Sequence, residues 1–120
     1  MPLVPVCDPS VDLALGSHAW ASSDNDRAFW TVDGDETTRW ASAVKDDEWI
    51  ALDLGRPTSL CGVDINWEAA FAAEYILQTG VYVDEEYIWT DIANDGTDQA
   101  GYKKTDFPST APVQYFRVRC

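Results

Sequence analysis

The sequence is poor in the residues on which most catalytic and nucleic-acid-binding sites depend. It contains one histidine, His18, and only 8 basic residues against 21 acidic ones, a formal net charge of −13 at pH 7. Nucleophilic catalysis needs a base beside the nucleophile, and the sequence offers neither a second histidine nor a GxSxG segment. Because so acidic a chain repels phosphate groups, we expect neither nucleic acid nor an anionic membrane as a partner.

Cysteines and long apolar runs are also scarce. The three cysteines do not have the spacing of a zinc site, and they allow one internal disulfide bond with one thiol left over. Cys61 and Cys120 fall on the apolar faces of predicted strands and form the favoured pair, with Cys7 and Cys120 as the alternative. No segment approaches the roughly 18 apolar residues of a membrane helix, and none has the form of a signal peptide.

The residues that are present indicate one folded domain. Hydrophobic residues make up 46% of the 120 residues, and six of these are tryptophans, which is typical of a globular chain with a core. We assign residues 1–10 to an N-terminal tail and residues 11–120 to a single domain. Short alternating runs separated by turn residues predict an all-β fold, with strands in 49–54, 60–67, 75–83, 87–92 and 113–120. Trp40, Trp49 and Trp89 are expected in the core.

The segment TVDGDETTRWAS (31–42) concentrates acids around a glycine. It does not fit a calcium-binding EF-hand, because Thr38 stands where the loop glycine is required and Val44 where the final glutamate is required. Paired carboxylates could also hydrolyse glycosides, but an abundance of acids does not by itself supply a pair at the required separation.

Six segments, in order along the chain, resemble the discoidin or coagulation-factor type C (F5/8 type C) domain, and within it the carbohydrate-binding modules of family thirty-two. They are DLALGSHAWASS, TVDGDETTRWAS, EWIALDLGRP, CGVDINWEAAFAAEY, WTDIA and YFRVRC. The resemblance implies an antiparallel jelly-roll β-sandwich of the galactose-binding-domain type. One segment departs from the pattern: TGVYVDEEYIWTDIA replaces a short turn of the family, which leaves the register of residues 78 to 90 open.

The resemblance also implies a structural calcium ion held by oxygen atoms of the acidic segment. The ligands would be the carbonyl of Trp30, the carboxylate of Asp33, the carbonyl of Asp35 and the carbonyl or hydroxyl of Thr38. Four donors are fewer than the six to eight that calcium usually takes. The family completes the shell with a glutamate on a strand that would follow Cys120. That strand is expected to be truncated, shortened or supplied by a neighbouring chain.

By the same resemblance, sugar would bind through loops at one end of the sandwich. An aromatic plane against a sugar ring, with polar groups bonding its hydroxyls, is the chemistry such a site needs. Trp67 is equally suited to the core. The candidate ligand residues are Asn25, Asp26, Lys45, Trp67, Glu68 and Phe71.

We therefore expect a non-catalytic, lectin-like carbohydrate-binding module that works outside the cell, with a signal peptide that is not part of this sequence. The acidic balance favours amino sugars or other cationic glycans over uronates, while neutral galactosides and β-glucans stay open. The alternative is a structural or adhesive module of an extracellular assembly, completed by strand addition from a neighbouring chain at the C-terminal edge.

Overall fold

Antiparallel strands dominate the structure. The computed structural model describes residues 13–35, 37–41, 47–67 and 73–120. In these ranges no helix is both long and apolar enough to cross a membrane. The elements are β1 (His18–Ala21), a 3-10 helix (Asn25–Thr31), β2 (Trp49–Thr58), β3 (Gly62–Trp67), β4 (Tyr75–Val83), β5 (Glu86–Asp95), β6 (Gly101–Asp106) and β7 (Val113–Arg119).

The strands form two sheets. A five-stranded sheet has the order β1-β2-β7-β4-β5, and a two-stranded sheet pairs β3 with β6, with every pair antiparallel. This confirms the predicted all-β, galactose-binding-domain-like fold. Strands β1 and β6 and the 3-10 helix were not predicted.

The main core lies where alternating apolar side chains of both sheets face one another. Leu77 is fully buried, and burial of such a side chain stabilises the fold by about 1.5–3 kcal/mol. The buried members are Leu60, Tyr75, Leu77 and Phe116, packed by Leu52, Leu54, Val63, Ile65, Trp67, Ile92, Ala93, Phe107, Val113 and Val118. The predicted inward faces of β2, β3 and β7 are therefore confirmed.

A smaller cluster attaches the 3-10 helix to the edge strand β1. Ala19 of β1, Ala28 of the helix and Val32 are buried together. The Gly16 N–H donates to the Val32 carbonyl at 2.8 Å, so the chain after the helix returns to the start of β1. The small side chains of Ala19 and Ala28 permit this close approach.

The β4–β5 hairpin extends beyond the rest of its sheet. Gly80 is the last residue of β4 that pairs with β7, whereas the pairing with β5 continues to Val83 and Glu86. The two turn residues, Asp84 and Glu85, have φ of 52° and 65°, which two-residue hairpin turns of type I′ require. This turn settles the register that the sequence left open.

Both predicted disulfide pairings through Cys120 are wrong in this structure. Cys120 follows β7 as a free, exposed cysteine, although its backbone N–H donates to the Glu48 carbonyl at 2.9 Å. Alternation along β7 predicted an inward thiol, but the strand ends one residue earlier. Cys61 is disulfide-bonded, and Cys7 lies outside the described residues.

Candidate functional site

Three of the four predicted metal ligands converge on the hydroxyl group of the fourth, Thr38. The Thr38 hydroxyl oxygen lies 2.6 Å from Asp33 Oδ2, 2.9 Å from the Asp35 carbonyl oxygen and 3.4 Å from the Trp30 carbonyl oxygen. Trp30 belongs to the 3-10 helix, which delivers its carbonyl to the segment that follows. We call Asp33, Gly34, Asp35, Thr37 and Thr38 the DGD loop.

The side chain of Asp35 does not take part in this convergence. Its Oδ1 accepts hydrogen bonds from the Thr37 N–H at 2.9 Å and from the Thr37 hydroxyl at 2.6 Å. The hydroxyl bond, followed by the N–H bond, lowers the pKa of the Asp35 carboxyl below its usual value. With the carboxylate held by Thr37, Asp35 presents its carbonyl oxygen to the convergence point, as the resemblance implied.

The oxygen atoms around Thr38 are better suited to binding a cation than to hydrogen bonding with one another. A hydroxyl group carries one proton and can donate it to one acceptor, yet three acceptor oxygens lie within reach of Thr38. A hard divalent cation is attracted to carboxylate, carbonyl and hydroxyl oxygens of this kind. Among the described residues, no cluster of three or more histidine, cysteine or acidic side chains could hold a metal. The oxygen atoms around Thr38 instead combine the single carboxylate of Asp33 with backbone and hydroxyl oxygens.

The DGD loop lies beside the start of β1. A Cβ atom on Gly34 would come within 3.1 Å of Leu15 Cδ1, and Gly34 has a left-handed φ of 76°. Only glycine satisfies both the contact and the backbone conformation without strain. The loop is thus anchored to the segment that precedes β1.

Asn25 and Asp26 lie at the opposite end of β1. The register of the five-stranded sheet brings together the end of β1, the start of β2, the end of β7 and the start of β4. We call this the loop end of the sandwich. Asn25 Oδ1 accepts the Ala21 N–H at 2.8 Å and so braces the chain as it leaves β1, while the exposed Asp26 starts the helix. The structure therefore separates these two residues from the DGD loop.

Trp67 also lies at the loop end, at the end of β3, but it faces inward. Its ring centroid is 5.1 Å from that of Tyr75, and it packs against the main core. Its indole N–H and the Tyr75 hydroxyl are buried without a hydrogen-bond partner in the described part of the chain. The ring therefore packs in the core beside Tyr75. The remaining sugar-site candidates, Lys45, Glu68 and Phe71, lie outside the described residues.

A buried acid that sequence reasoning did not select organises the loop end. Glu48 is 1% exposed, and its carboxylate accepts hydrogen bonds from the Ser22 and Ser23 hydroxyls. The indole N–H of Trp40 donates to the Ser23 carbonyl at 2.8 Å. Serines just after a strand and an acid just before the next one are the only sequence signal for this clamp. It fixes the start of the loop that carries Asn25.

Three exposed aromatic side chains were also not predicted from the sequence as candidate sugar-binding rings. Phe29 and Trp30 project from the 3-10 helix, and the Arg27 guanidinium lies 5.4 Å from the Trp30 ring centroid. Tyr102, the second residue of β6, pairs with Asn66 near the end of β3 and is exposed. The sequence signal for these residues is that they are aromatic but do not belong to an alternating apolar pattern.

The chain belongs to the NedA-like, galactose-binding domain family of the F5/F8 type C group, whose model matches residues 30–118. This confirms the resemblance carried by the six sequence segments. Chitosan-binding module 1, derived from a chitosanase/glucanase of Paenibacillus sp. IK-5, is 34% identical, with a TM-score of 0.80 and coverage of 91% of this chain and 85% of that one.

Two further solved structures are similar. Chitosan-binding module 2, derived from a chitosanase/glucanase of the same Paenibacillus and solved with chitotriose, is 29% identical, with a TM-score of 0.80 and coverage of 91% and 86%. CpGH89CBM32-6 from Clostridium perfringens is 18% identical, with a TM-score of 0.75 and coverage of 91% and 87%, and supports the fold alone. No curated protein sequence matches the chain.

Proposed function

We propose that the chain is a non-catalytic carbohydrate-binding module whose ligand is a glucosamine oligosaccharide of the chitosan type, bound at the loop end. The observation that carries this proposal is the 34% identity, over 91% of the chain, with a chitosan-binding module. The assembly alternative, strand addition at the C-terminal edge, stays a prediction.

The charge of the chain supports an amino sugar rather than a uronate. Glucosamine units carry protonated amines near neutral pH, and the chain has 21 acidic residues against 8 basic ones. An excess of one charge attracts ligands of the opposite charge and repels those of its own. Asp26, exposed at the loop end, is one carboxylate that an amine could approach.

A structural calcium ion in the DGD loop is part of the proposal. The oxygen atoms of Trp30, Asp33, Asp35 and Thr38 would hold it, and it would supply rigidity and no chemistry. Support comes from the three acceptor oxygens that converge on the single Thr38 hydroxyl. Since the DGD loop lies away from Asn25 and Asp26, this calcium would not contact a sugar at the loop end.

An extracellular location follows from the same ligand and from the cysteines. Chitosan is an extracellular polymer, and a protein that binds it meets it outside the cell. Disulfide bonds persist in oxidising compartments, and Cys61 is disulfide-bonded.

Calorimetric titration with a glucosamine hexamer tests the function. The wild type is expected to bind, and Glu68→Gln, at the position that the family resemblance assigns to the sugar site, should weaken binding at least tenfold, which corresponds to about 1.4 kcal/mol. The matched control is Asp106→Asn, because this exposed carboxylate sits at the other end of β6 and its ion pair with Lys104, at 3.8 Å, is solvent-exposed.

Failure to bind any glucosamine oligomer would contradict the proposed function. Equal affinity of Glu68→Gln and wild type would instead contradict only the site assignment. A wild type that binds the N-acetylated hexamer as well as the deacetylated one would remove the charge argument.

A further inference from the structure

Five aromatic side chains share the face of the five-stranded sheet that points away from the core. They alternate with inward residues such as Leu52, Leu77 and Phe116, and the strand registers place them on one surface. We call this surface the outer aromatic face, and its members are Trp20, Tyr82, Tyr87, Trp89 and Tyr115. None of them lies at the loop end or in the DGD loop.

Side chains from the two edge strands contact each other over the middle of this face. Trp20 on β1 and Tyr87 on β5 have ring centroids 5.3 Å apart, although three strands separate β1 from β5. Tyr115 on the central strand β7 lies edge-on beneath both, at 6.3 Å from Trp20 and 5.1 Å from Tyr87. Tyr82 extends the row, 4.7 Å from Tyr87. The rings therefore form a continuous aromatic surface across a concave sheet.

A polar network holds the rings from below. The Arg117 guanidinium lies 4.4 Å from the Trp89 ring centroid and 5.4 Å from that of Trp49. Its Nε donates to Gln78 Oε1 at 2.6 Å, and Gln78 Nε2 donates to Asp91 Oδ1 at 2.7 Å. Because Gln78 is buried and both its polar atoms are bonded, the orientation of Arg117 is fixed. The positive charge of this face is thus engaged beneath the rings.

The outermost part of the face is exposed and bordered by negative charge. Tyr82 and Tyr87 are 52% and 42% exposed. The turn between them carries Asp84 and Glu85, and in the described part of the chain these two carboxylates form no ion pair. The border therefore retains a negative charge.

We infer that the outer aromatic face is a second carbohydrate-binding surface, which takes a glucosamine oligosaccharide with its ring faces against Tyr82 and Tyr87 and its amines toward the carboxylates of the turn residues Asp84 and Glu85. Sugar rings present apolar C–H faces that pack on aromatic planes, and protonated amines complement the acidic border. The choice of ligand class rests on the proposed function, but the surface is distinct from the loop end.

A protein partner fits this surface less well. Protein interfaces are depleted in aspartate and glutamate at their centres, because a buried carboxylate must be desolvated and paired. The two carboxylates on the turn next to the exposed tyrosines would have to be paired in such a contact. A glucosamine oligosaccharide can neutralise these carboxylates with its amines while they stay in contact with water.

The test is a nuclear magnetic resonance titration of the whole chain with a glucosamine hexamer, followed by the same titration of Tyr82→Ala, Glu85→Gln and the loop-end variant Glu68→Gln. Ile88→Ala is the matched control, since Ile88 belongs to the same hairpin, is as exposed as Tyr82 and lies on its opposite face. In the wild type we expect chemical-shift changes in two groups of residues, one at each surface. In Tyr82→Ala, the affinity reported by Trp20, Tyr87 and Tyr115 should be about fivefold to tenfold weaker.

The two proposals fail in different ways. If the loop end responds to the hexamer and the outer aromatic face does not, the second surface is overturned while the proposed function stands. If Glu68→Gln removes only the loop-end response, the second surface is supported. Wild-type dimerisation in sedimentation experiments that Tyr82→Ala abolishes, without a sugar response, would assign the face to a second copy of the chain and overturn the inference.

Discussion

The DGD loop and the outer aromatic face are built in opposite ways. The DGD loop gathers oxygen atoms from residues that are close neighbours in sequence, and Thr38 alone contacts three of them. The outer aromatic face gathers rings from four strands, and two of these rings, Trp20 and Tyr115, are far apart in sequence. The first depends on local hydrogen bonds and is suited to a cation, whereas the second depends on sheet order and is suited to a ring-shaped ligand.

The largest effect that would separate the two regions is removal of calcium. With free calcium at 100 times its dissociation constant, binding would stabilise the fold by about 2.7 kcal/mol, so EDTA should lower the melting temperature. Asp33→Asn should lower it in calcium buffer and make EDTA ineffective, because Asp33 supplies the carboxylate. Differential scanning calorimetry measures both.

Asp35→Asn is the control for this experiment. Only the backbone carbonyl of Asp35 approaches Thr38, and an asparagine Oδ1 can still accept the Thr37 hydrogen bonds. The variant should retain most of the calcium effect. A melting curve of the wild type that is the same with and without calcium would remove the metal from the DGD loop.

A smaller effect is expected from Gly80→Ala in the outer aromatic face. A Cβ atom there would lie 2.7 Å from two ring carbons of Trp89, so the ring would have to shift from its position beside Arg117. We expect a loss of about 1.5 kcal/mol in urea denaturation and a change in the near-ultraviolet circular dichroism of tryptophan. Calcium dependence should be unaltered.

Val81→Ala is the matched variant for Gly80→Ala, because Val81 is adjacent, exposed and on the other face of β4. It should leave the near-ultraviolet spectrum unchanged. If Gly80→Ala were as stable as the wild type with the same spectrum, the contact between Trp89 and β4 would not hold the face together.

The smallest effect concerns the pH dependence of the DGD loop. The Thr37 hydrogen bonds lower the pKa of Asp35 from 3.8, so this group adds stability above pH 3.8 that is lost as pH falls through its lower folded pKa. Thr37→Ala removes the hydroxyl bond. In EDTA, denaturation curves of wild type and variant should differ at neutral pH and converge in acid, and a difference that is independent of pH would exclude this origin.

The features that the sequence predicted are those that depend on residues close together in the chain. Alternation in 49–54 and 60–67 predicted the inward faces of β2 and β3, since side chains on a strand point to opposite faces in turn. The family resemblance of the acidic segment implied which oxygen atoms of residues 30 to 38 would converge in the DGD loop. Both features involve residues that are close in sequence.

Features that depend on the order of strands were missed. Trp49 and Trp89 were expected in the core, but both contact Arg117 on the outward side of the sheet, and Trp89 is a member of the outer aromatic face. An alternating strand specifies two faces without stating which one faces the second sheet. The 3-10 helix was missed because its apolar contacts, such as that of Ala28 with Ala19, involve small side chains that produce no strong pattern.

The long β4–β5 hairpin has a consequence for how the chain folds. Its strands are joined by two residues, so their pairing closes a very short loop, whereas β2 with β7 and β3 with β6 join segments far apart in sequence. Contacts between near neighbours lose little chain entropy and form faster. We therefore expect this hairpin to form early, and the central strand β7, which comes last in the chain, to complete the sheet by inserting between the hairpin and β2.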